Sequence, residues 1–468
     1  MSTTSQTGQA IVLGGSIGGL LAARVLSESY AKVTVFDRDD LPAEAADRKG
    51  VPQSGHSHGL LARGRQVLEE LFPGLTDDLT AQGAVAIDIQ RDCLWVNDGH
   101  RIPRVTSGLE GLCVSRRALE AYVRDLVRAL PNVELRDRCE ALGLLADTDG
   151  ETVTGARILP RGGPEERHDA DLVVDATGRG NRGPTWLAEL GYQPPVEDRV
   201  DPRTVYVSRD YRRTAGETNW SAFISSPSPA GPYGGVAIAA EGDRWMVTLL
   251  GVGPDQAPPT DPEGYLAFAG RLPAPELHAL LSRAEPLGPP RRMRLPTSVR
   301  RRYEHLARLP EGFIAVADAM CSFNPAYGQG MTVAAVEAMV LRDCLREGRR
   351  ELPRRFFAGA AKVVDVPWDM AVGADLRHPT IVGPRSRRTR FLNGYVTRLH
   401  AAAARHPAVG RRFLSVANLM TPPPGLFAPG IVARVLWSGR HGTPQMGRPE
   451  PIARVEEPAA RVEELAAR

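Results

Sequence analysis

A short glycine-rich segment near the start of the chain has the spacing of a phosphate-binding turn. The segment GGSIGG, Gly14 to Gly19, follows an apolar run and precedes residues with helical periodicity. Gly14 permits a tight turn, Gly19 permits close packing of helix on strand, and the helix N-terminus presents N–H groups to a pyrophosphate. Asp37 ends the next β-branched run, where its carboxylate can accept hydrogen bonds from both hydroxyls of a ribose. Together these features predict a dinucleotide site, whereas the glycines alone would indicate only a turn.

Two later stretches have related chemistry. The segment DLVVDATGRGNR, residues 171 to 182, fits either a buried strand with a capping turn or a second part of a nucleotide site. In the segment from Phe313 to Thr332, Asp318 ends a strand, where a carboxylate can hold the hydroxyls of a polyol. Pro325 stiffens the following loop, and Gly328 and Gly330 let backbone amides approach a flat ligand. The helix that follows directs its positive end at this place, which suits an electron-rich carbonyl or an anionic ring.

The elements that must position these motifs form a mixed pattern. A βαβ unit at residues 10–37 predicts parallel strands with a right-handed crossover. Residues from about 202 to 250 alternate strands with turns and predict an antiparallel sheet. A buried strand at 312–316, a helix from about 330 to 346, and helical segments beyond 352 follow. The sequence therefore predicts an α/β protein with a discontinuous Rossmann-like domain, an inserted antiparallel-sheet domain and a C-terminal helical region.

The boundaries follow from these elements. Nucleotide-domain segments are predicted at 8–88, 112–190 and 301–350, and substrate-domain segments at 89–111 and 191–300. A C-terminal helical region is predicted at 351–440 and a flexible tail at 441–468.

Composition excludes several other classes of protein. A net charge of +3 without a basic run argues against a nucleic-acid partner, and no apolar stretch approaches the ~20 residues of a membrane span. The five cysteines form no CxxC pair, and His56 and His58 lack a cluster of further ligands, so no metal site is predicted. Without a signal peptide, the expected location is cytoplasmic.

Taken in order, the three motifs resemble those of the class A flavin-dependent monooxygenases, the para-hydroxybenzoate hydroxylase superfamily. The resemblance covers about residues 10 to 350. Two segments, RKGVPQ at 48–53 with the nearby histidines and NPAYGQGMT at 324–332, are most similar to the polyene epoxidases of polyether biosynthesis, such as the lasalocid and monensin enzymes.

This resemblance implies FAD as the cofactor. The GGSIGG turn would hold the pyrophosphate, Asp37 the adenosine ribose and Asp318 the ribityl chain, while Pro325 would face the edge of the ring. The residues assigned to the cofactor are Gly14, Gly15, Ser16, Ile17, Gly18, Gly19, Asp37, Arg38, Arg48, Gln53, Arg116, Gly178, Asp318, Pro325, Gly328, Gly330 and Met331.

Four positions depart from the family pattern. Thr177 stands where aspartate is usual before Gly178, and Asn181 where serine is common. Because the family ties that motif to NADPH as well as FAD, the reductant is expected to be NAD(P)H acting either directly or through a separate flavin reductase. Ala317 replaces the usual glycine before Asp318, and Cys321 stands where histidine is frequent. FAD binding is expected despite both changes.

The implied reaction is monooxygenation. Reduced flavin adds O2 to give a C4a-hydroperoxide, whose distal oxygen passes to a lipophilic natural-product substrate, a polyketide, a terpenoid or an aromatic compound. Olefin epoxidation is the expected reaction, and aromatic hydroxylation is the alternative. A flavin reductase or dehydrogenase and a non-catalytic FAD-binding protein are two further interpretations. Lys49 could be the lysine of flavin-dependent halogenases, but the W-x-W-x-I-P segment of that family is absent.

The sequence predicts no catalytic side chain. Epoxidation requires none, since it needs no obligatory base. The candidates for lining the substrate pocket are His56, Trp220, Tyr233, Trp245 and Phe323. For the aromatic residues of the middle sheet, ordinary core packing is the competing interpretation.

Overall fold

A computed structural model describes residues 6–180, 182–253, 255–294 and 297–438. The predicted tail at 441–468 and Asn181 lie outside the described residues. The strands are β1 Gln9–Leu13, β2 Lys32–Phe36, β3 Gly59–Leu60, β4 Val85–Asp88, β5 Cys93–Asn97, β6 His100–Arg101, β7 Glu110–Cys113, β8 Val133–Arg136, β9 Cys139–Ala146, β10 Val153–Pro160, β11 Glu166–Asp169, β12 Leu172–Asp175, β13 Glu197–Val200, β14 Thr204–Arg212, β15 Ala222–Ser225, β16 Tyr233–Ala240, β17 Arg244–Val252, β18 Arg291–Arg294, β19 Ser298–Arg301, β20 Phe313–Ala315 and β21 Cys321–Ser322.

Helices connect and cover these strands. They are α1 Ile17–Leu26, α2 Ala62–Leu71, α3 Leu75–Ala81, α4 Ile89–Asp92, α5 Arg116–Arg128, α6 Gly183–Glu189, α7 Pro262–Ala269, α8 Glu276–Leu281, α9 Gly330–Arg346, α10 Leu352–Asp375, α11 Arg387–Ala403, α12 Pro407–Ala417 and α13 Pro429–Ser438. Short 3-10 turns lie at Pro52–Gly55, Gly178–Gly180, Tyr303–His305, Ala317–Ala319, Pro325–Tyr327 and Pro423–Phe427. Helix α2 begins at Ala62, because Gly59–Leu60 immediately before it pairs with β7.

A parallel sheet brings the three sequence motifs to one edge. Its order is β20-β12-β1-β2-β8, and every neighbouring pair is parallel. Its central strands are short apolar runs because other elements cover them: α1 packs on β1, β2 and β12, and β10 of the three-stranded antiparallel sheet β11-β10-β9 also packs on β12. Since β1, β12 and β20 end side by side, the loops after them lie together at the carboxyl edge, where ligands of α/β sheets bind.

A seven-stranded sheet forms the second layer, in the order β18-β14-β17-β16-β15-β5-β6. It is antiparallel except at β15 and β5, which pair in parallel. Alternate residues of its strands face opposite sides. One side, with Phe223, Val247 and Leu249, forms a core that includes residues of α7 and α8. The other side, with Ile238 and Leu250, lines a large cavity.

The C-terminal helices contribute the opposite wall of that cavity. Trp368 and Asp375 of α10 line it, and so do Leu399 of α11 and Phe413 of α12. Pro367 lies inside α10, one residue before Trp368. The predicted α/β fold class with a C-terminal helical region is thus confirmed, while the division into domains stays a prediction.

Candidate functional site

The glycine turn between β1 and α1 requires glycine at both ends. Gly14 has φ +111°, and a Cβ there would lie 2.3 Å from the carbonyl oxygen of Ala176. A Cβ at Gly19 would lie 1.8 Å from the carbonyl oxygen of Gly14. These approaches are shorter than any van der Waals contact, so the turn closes only without side chains at these positions.

The same turn contacts both of the other motifs. Gly14 lies against Ala176 in the loop after β12, and a Cβ at Gly18 would lie 2.6 Å from the Cβ of Ala317 in the loop after β20. The structure therefore brings the three sequence motifs together. Ile17, which was also assigned to the cofactor, is a buried core residue at the start of α1.

A buried cluster of charges surrounds the start of α1. Asp37 accepts hydrogen bonds from the Gly15 amide at 2.6 Å and from the Asp39 amide at 2.8 Å. Arg48 pairs with Asp37 at 2.7 Å and with Glu120 at 2.5 Å, and the side chains of all three are at most 8% exposed. Ser16 donates to Glu120 at 2.8 Å. Arg48 thus bridges the two carboxylates next to the turn.

Electrostatics in this cluster keep Glu120 charged. Burial alone raises the pKa of a carboxyl group, but Arg116, Arg48 and the Ser16 hydroxyl outweigh it and hold the pKa of Glu120 below its usual value. Arg116 also donates to the Ser16 hydroxyl at 2.9 Å. Arg38, another residue assigned to the cofactor, is exposed, and its role stays a prediction.

The second and third motifs are joined by Arg179. Its Nε contacts Asp318 at 3.3 Å, and its Nη2 donates to the carbonyl oxygen of Phe323 at 2.8 Å. Its Nη1 is buried without a hydrogen-bond partner among the described residues. Gly178, immediately before it, has φ +77° and open space around the position of a Cβ. In the sequence, only its place within the second motif points to this arginine.

Ala317 takes the backbone conformation that explains the usual glycine there. It has φ +54°, in the left-handed region that costs a residue with a Cβ roughly 1–2 kcal/mol. Its amide donates to Glu337 of α9 at 2.6 Å, which holds the turn in place.

We expect the Ala317→Gly variant to be more stable than the wild type by about 0.5–1 kcal/mol, because relief of the left-handed strain exceeds the added entropy of the unfolded chain. The matched change Ala319→Gly, two residues along in the same turn at an ordinary φ, should instead destabilise the protein. Urea unfolding of the three proteins measures both effects. A destabilised Ala317→Gly variant would contradict the strain argument.

The start of α9 presents open space and free amides. Among the described residues, and apart from the adjoining backbone, no atom lies within 4 Å of the Cβ position of Gly328 or Gly330. Gln329, the N-cap residue, makes no capping bond with its side chain, and its buried Oε1 lacks a partner among the described residues. The positive end of a 17-residue helix therefore faces this space.

These features fit FAD. The tight turn with its helix N-terminus suits a pyrophosphate, the half-buried Asp318 suits a polyol, and the open start of α9 suits an anionic ring. The unpartnered Nη1 of Arg179, between the turn and Asp318, is a further donor for an anionic ligand. Met331, the next residue of α9, is buried with its side chain in the core.

A cavity of about 1050 Å³ extends from this loop between the seven-stranded sheet and the C-terminal helices. Gln53, Pro325 and Gly328 line it at one end. Its walls are mainly apolar, with Ile224, Leu250, Val252, Trp368, Leu399 and Phe413 among them. Such a cavity has the size and character of a small-molecule site.

Of the five pocket candidates, His56 lines the cavity. It is buried, its Nδ1 lies 2.6 Å from the Ser208 hydroxyl, and burial lowers its pKa to about 4, so the ring is neutral at pH 7. Trp220 and Trp245 instead pack together in the core on the far side of the sheet, with ring centroids 4.9 Å apart.

The remaining two candidates are also held away from the cavity. Tyr233 packs against the same core and donates to Gln256 at 2.7 Å. Phe323 is buried in the core around the parallel sheet. Besides His56, Gln53, Pro325 and Gly328, the cavity is lined by residues that the sequence did not indicate, among them Trp368, Tyr206 and Asp375.

Other sites considered from the sequence gain no support. Lys49 is exposed and does not line the cavity formed by the described residues. Within the described part of the chain, no group of three or more histidine, cysteine or acidic residues is placed to hold a metal ion. No helix at these positions is both long and apolar enough to cross a membrane.

Comparison with known proteins identifies a relative that covers most of the chain. No family model matches it. It is 34% identical over 434 residues to Protein Rv3254 of Mycobacterium tuberculosis (strain ATCC 25618 / H37Rv), across 88% of this chain and 89% of that protein.

Solved structures share the fold. The flavin-dependent brominase Bmp2 superposes with a TM-score of 0.63 at 16% identity, over 92% of this chain and 98% of that one. PqsL of Pseudomonas aeruginosa, a probable FAD-dependent monooxygenase, gives a TM-score of 0.59 at 15% identity, over 79% of this chain and 97% of that one. The chain thus has the fold of FAD-dependent monooxygenases and flavin-dependent halogenases, and the narrower resemblance to polyene epoxidases stays a prediction.

Proposed function

Because the chain belongs to the family of Protein Rv3254 of Mycobacterium tuberculosis and has the fold of FAD-dependent monooxygenases, we propose that it is an FAD-dependent monooxygenase. It transfers one oxygen atom of O2 to a lipophilic natural-product intermediate. One observation carries this proposal: the large, mainly apolar cavity begins at Pro325 and Gly328, next to the open start of α9.

The residues that would hold FAD come from all three motifs. Gly14 to Gly19 would take the pyrophosphate, Asp318 with Arg179 the ribityl chain, and the amides at Gly330 and Met331 the pyrimidine end of the ring. Bound FAD, once reduced, supplies the activation of O2. The amides and dipole of α9 stabilise negative charge at that end of the ring, and the apolar walls keep water away.

Epoxidation of an olefin is the reaction that the apolar walls favour. It needs orientation and exclusion of water, which Leu250, Trp368 and their neighbours supply, and it needs no side chain as a base. Aromatic hydroxylation is the second candidate, since the buried carboxyl group of Asp375 lines the same cavity. The exposure of Lys49 argues against halogenation.

The reductant is NAD(P)H, acting directly or through a separate reductase. Thr177, which replaces the usual aspartate, donates its hydroxyl to Asp175 at 2.7 Å and so caps its own turn. Because this contact gives Thr177 a structural role within its own turn, it favours reduction through a separate reductase over direct reduction by NAD(P)H.

Rapid mixing of the anaerobically reduced FAD-loaded protein with O2 tests the proposal. A monooxygenase should show a transient absorption band unlike those of reduced and oxidised flavin, which decays with release of H2O2 when no substrate is present. Reoxidation without such a band, both alone and with a panel of polyenes and phenols, would favour a reductase or dehydrogenase. Failure to retain FAD would overturn the proposal.

A further inference from the structure

A buried carboxyl group lines the otherwise apolar cavity beside the Pro325 loop. Asp375, at the end of α10, is 4% exposed. Its Oδ1 accepts hydrogen bonds from the Tyr327 hydroxyl at 2.8 Å and from the Asn324 amide at 2.9 Å. Its Oδ2 is buried and has no hydrogen-bond partner among the described residues. Both donors bind one oxygen, so the other remains for a ligand of the cavity.

The surrounding contacts fix this carboxyl group next to the third motif. Asn324 and Tyr327 flank Pro325 in the loop that leads into α9. Tyr206 of β14, which also lines the cavity, donates to the Oδ1 of Asn324. Three elements therefore determine the orientation of Asp375: the loop, the seven-stranded sheet and α10 itself. A side chain held in this way presents Oδ2 at a defined place.

The protonation state makes Oδ2 an acceptor. Burial raises the pKa of Asp375 to about 6, although the hydrogen bonds from Tyr327 and Asn324 lower it, so the group is ionised at pH 7. An ionised oxygen that is buried without a hydrogen-bond donor destabilises the protein. A ligand that donates a hydrogen bond to it recovers this energy, whereas a hydrocarbon does not.

We propose that Asp375 Oδ2 accepts a hydrogen bond from a hydroxyl group of the substrate, so that the cavity selects lipophilic alcohols and phenols. The inference rests on the proposed function and narrows its substrate class. A hydroxyl fits better than an ammonium group, because the walls around this oxygen are mainly apolar and burial of a charged group costs more than burial of a hydroxyl. Asp375 would thus be a specificity-determining residue at the flavin end of the cavity.

The test compares two probes, 2-naphthol and 2-methoxynaphthalene. The second has a methyl group in place of the hydroxyl hydrogen and therefore cannot donate a hydrogen bond. Calorimetric titration at pH 8 of the FAD-loaded protein should show 2-naphthol binding roughly 10-fold more tightly, since a hydrogen bond to a charged group contributes about 1.5 kcal/mol or more. Equal affinities, or no binding of either probe, would overturn the proposal.

The Asp375→Asn variant should lose this preference. The amide oxygen of the substituted side chain would accept the hydrogen bonds from Tyr327 and Asn324, so its NH2 group would face the cavity. An NH2 group can donate a hydrogen bond to the oxygen of a phenol or of an ether, so the two probes should bind equally well. The matched control is Asp369→Asn, which removes a carboxylate from the exposed edge of the same cavity on the same helix. A preference retained in Asp375→Asn, or lost equally in Asp369→Asn, would contradict the assignment.

A second measurement needs no change at Asp375. In the wild type, the preference for 2-naphthol should fall as the pH decreases through about 6, because a neutral carboxyl group is a weaker acceptor. Burial raises the pKa of Tyr327 and Tyr206 above the usual range, and His378 and His56 have pKa values of about 4, so none of them titrates in this interval.

A His400→Gln variant is the control for the pH dependence. His400 pairs with Asp98 and also lines the cavity. A pH dependence that disappears in this control would overturn the assignment to Asp375. Probe binding is measured with and without FAD and requires no turnover. Failure of the proposed function, seen as a protein that does not take up FAD, is therefore distinguishable from failure of this inference.

Discussion

Replacement of Gly19 by alanine is expected to weaken FAD binding by at least about 100-fold. The new Cβ would lie 1.8 Å from the carbonyl oxygen of Gly14, so the turn between β1 and α1 must open. Opening moves the first amides of α1 away from the pyrophosphate. Loss of two hydrogen bonds to a charged group, each contributing about 1.5 kcal/mol, corresponds to that factor.

Titration of the apoprotein with FAD, followed by quenching of flavin fluorescence, measures this loss. The matched control is Gly394→Ala in α11, where no atom of the described residues outside the adjoining helix backbone lies within 4 Å of the new Cβ. This control should bind FAD like the wild type and gain a little helix stability. Circular dichroism shows whether each variant is folded. A folded Gly19→Ala protein with wild-type affinity would refute the assignment of the turn.

Glu337→Gln is expected to remove a strong pH dependence of stability. Glu337 of α9 is 1% exposed, its Oε2 accepts the Ala317 amide, and its Oε1 has no partner among the described residues. Burial raises its pKa to about 8, and the charge of Asp318 adds to this. The folded protein therefore holds a proton that the unfolded chain releases near pH 4.5.

This raised pKa sets the direction of the effect. The contribution of Glu337 to stability is complete below about pH 4.5 and is lost as the pH rises towards 8. Between pH 5 and pH 8 the wild type should lose on the order of 3 kcal/mol from this group. Glutamine has the shape of the neutral carboxyl group, so Glu337→Gln should match the wild type at low pH and exceed it at pH 8.

Urea unfolding of both proteins at pH 5 and pH 8 gives the difference directly, because all other titrating groups cancel between them. The control is Glu347→Gln at the exposed end of the same helix, which should leave the pH dependence unchanged. If the wild type and Glu337→Gln change in parallel with pH, Glu337 is not the group responsible.

The glycine turn could be predicted because its signals are local. Gly14, Gly19 and Asp37 lie within one βαβ unit, so spacing alone places them at the edge of the sheet. Ala317 was recognised as a departure from the family pattern, but its positive φ could be seen only in the structure. The contact between Arg48 and Glu120 is still harder to predict from the sequence, since the two residues are 72 positions apart.

The cavity could not be predicted for a different reason. Both faces of the seven-stranded sheet are apolar, and a shift of one residue exchanges them, so the pattern does not show which face a tryptophan takes. Trp245 lies in the core with α7 and α8, whereas Thr248, three residues later, lines the cavity. Asp375 carries no sequence signal, because its partners Asn324 and Tyr327 are about 50 residues away.

The parallel pairing of β5 with β15 has a consequence for how the chain folds. Strands β5 and β6 precede β8 and β12 of the parallel sheet, yet they complete the seven-stranded sheet whose other strands follow β12. Closing so long a loop is entropically costly, so we expect this pairing to form late. Until then β15 is an uncovered sheet edge that can pair with another chain. Residues 191–300 expressed alone would keep that edge permanently and would be prone to aggregation.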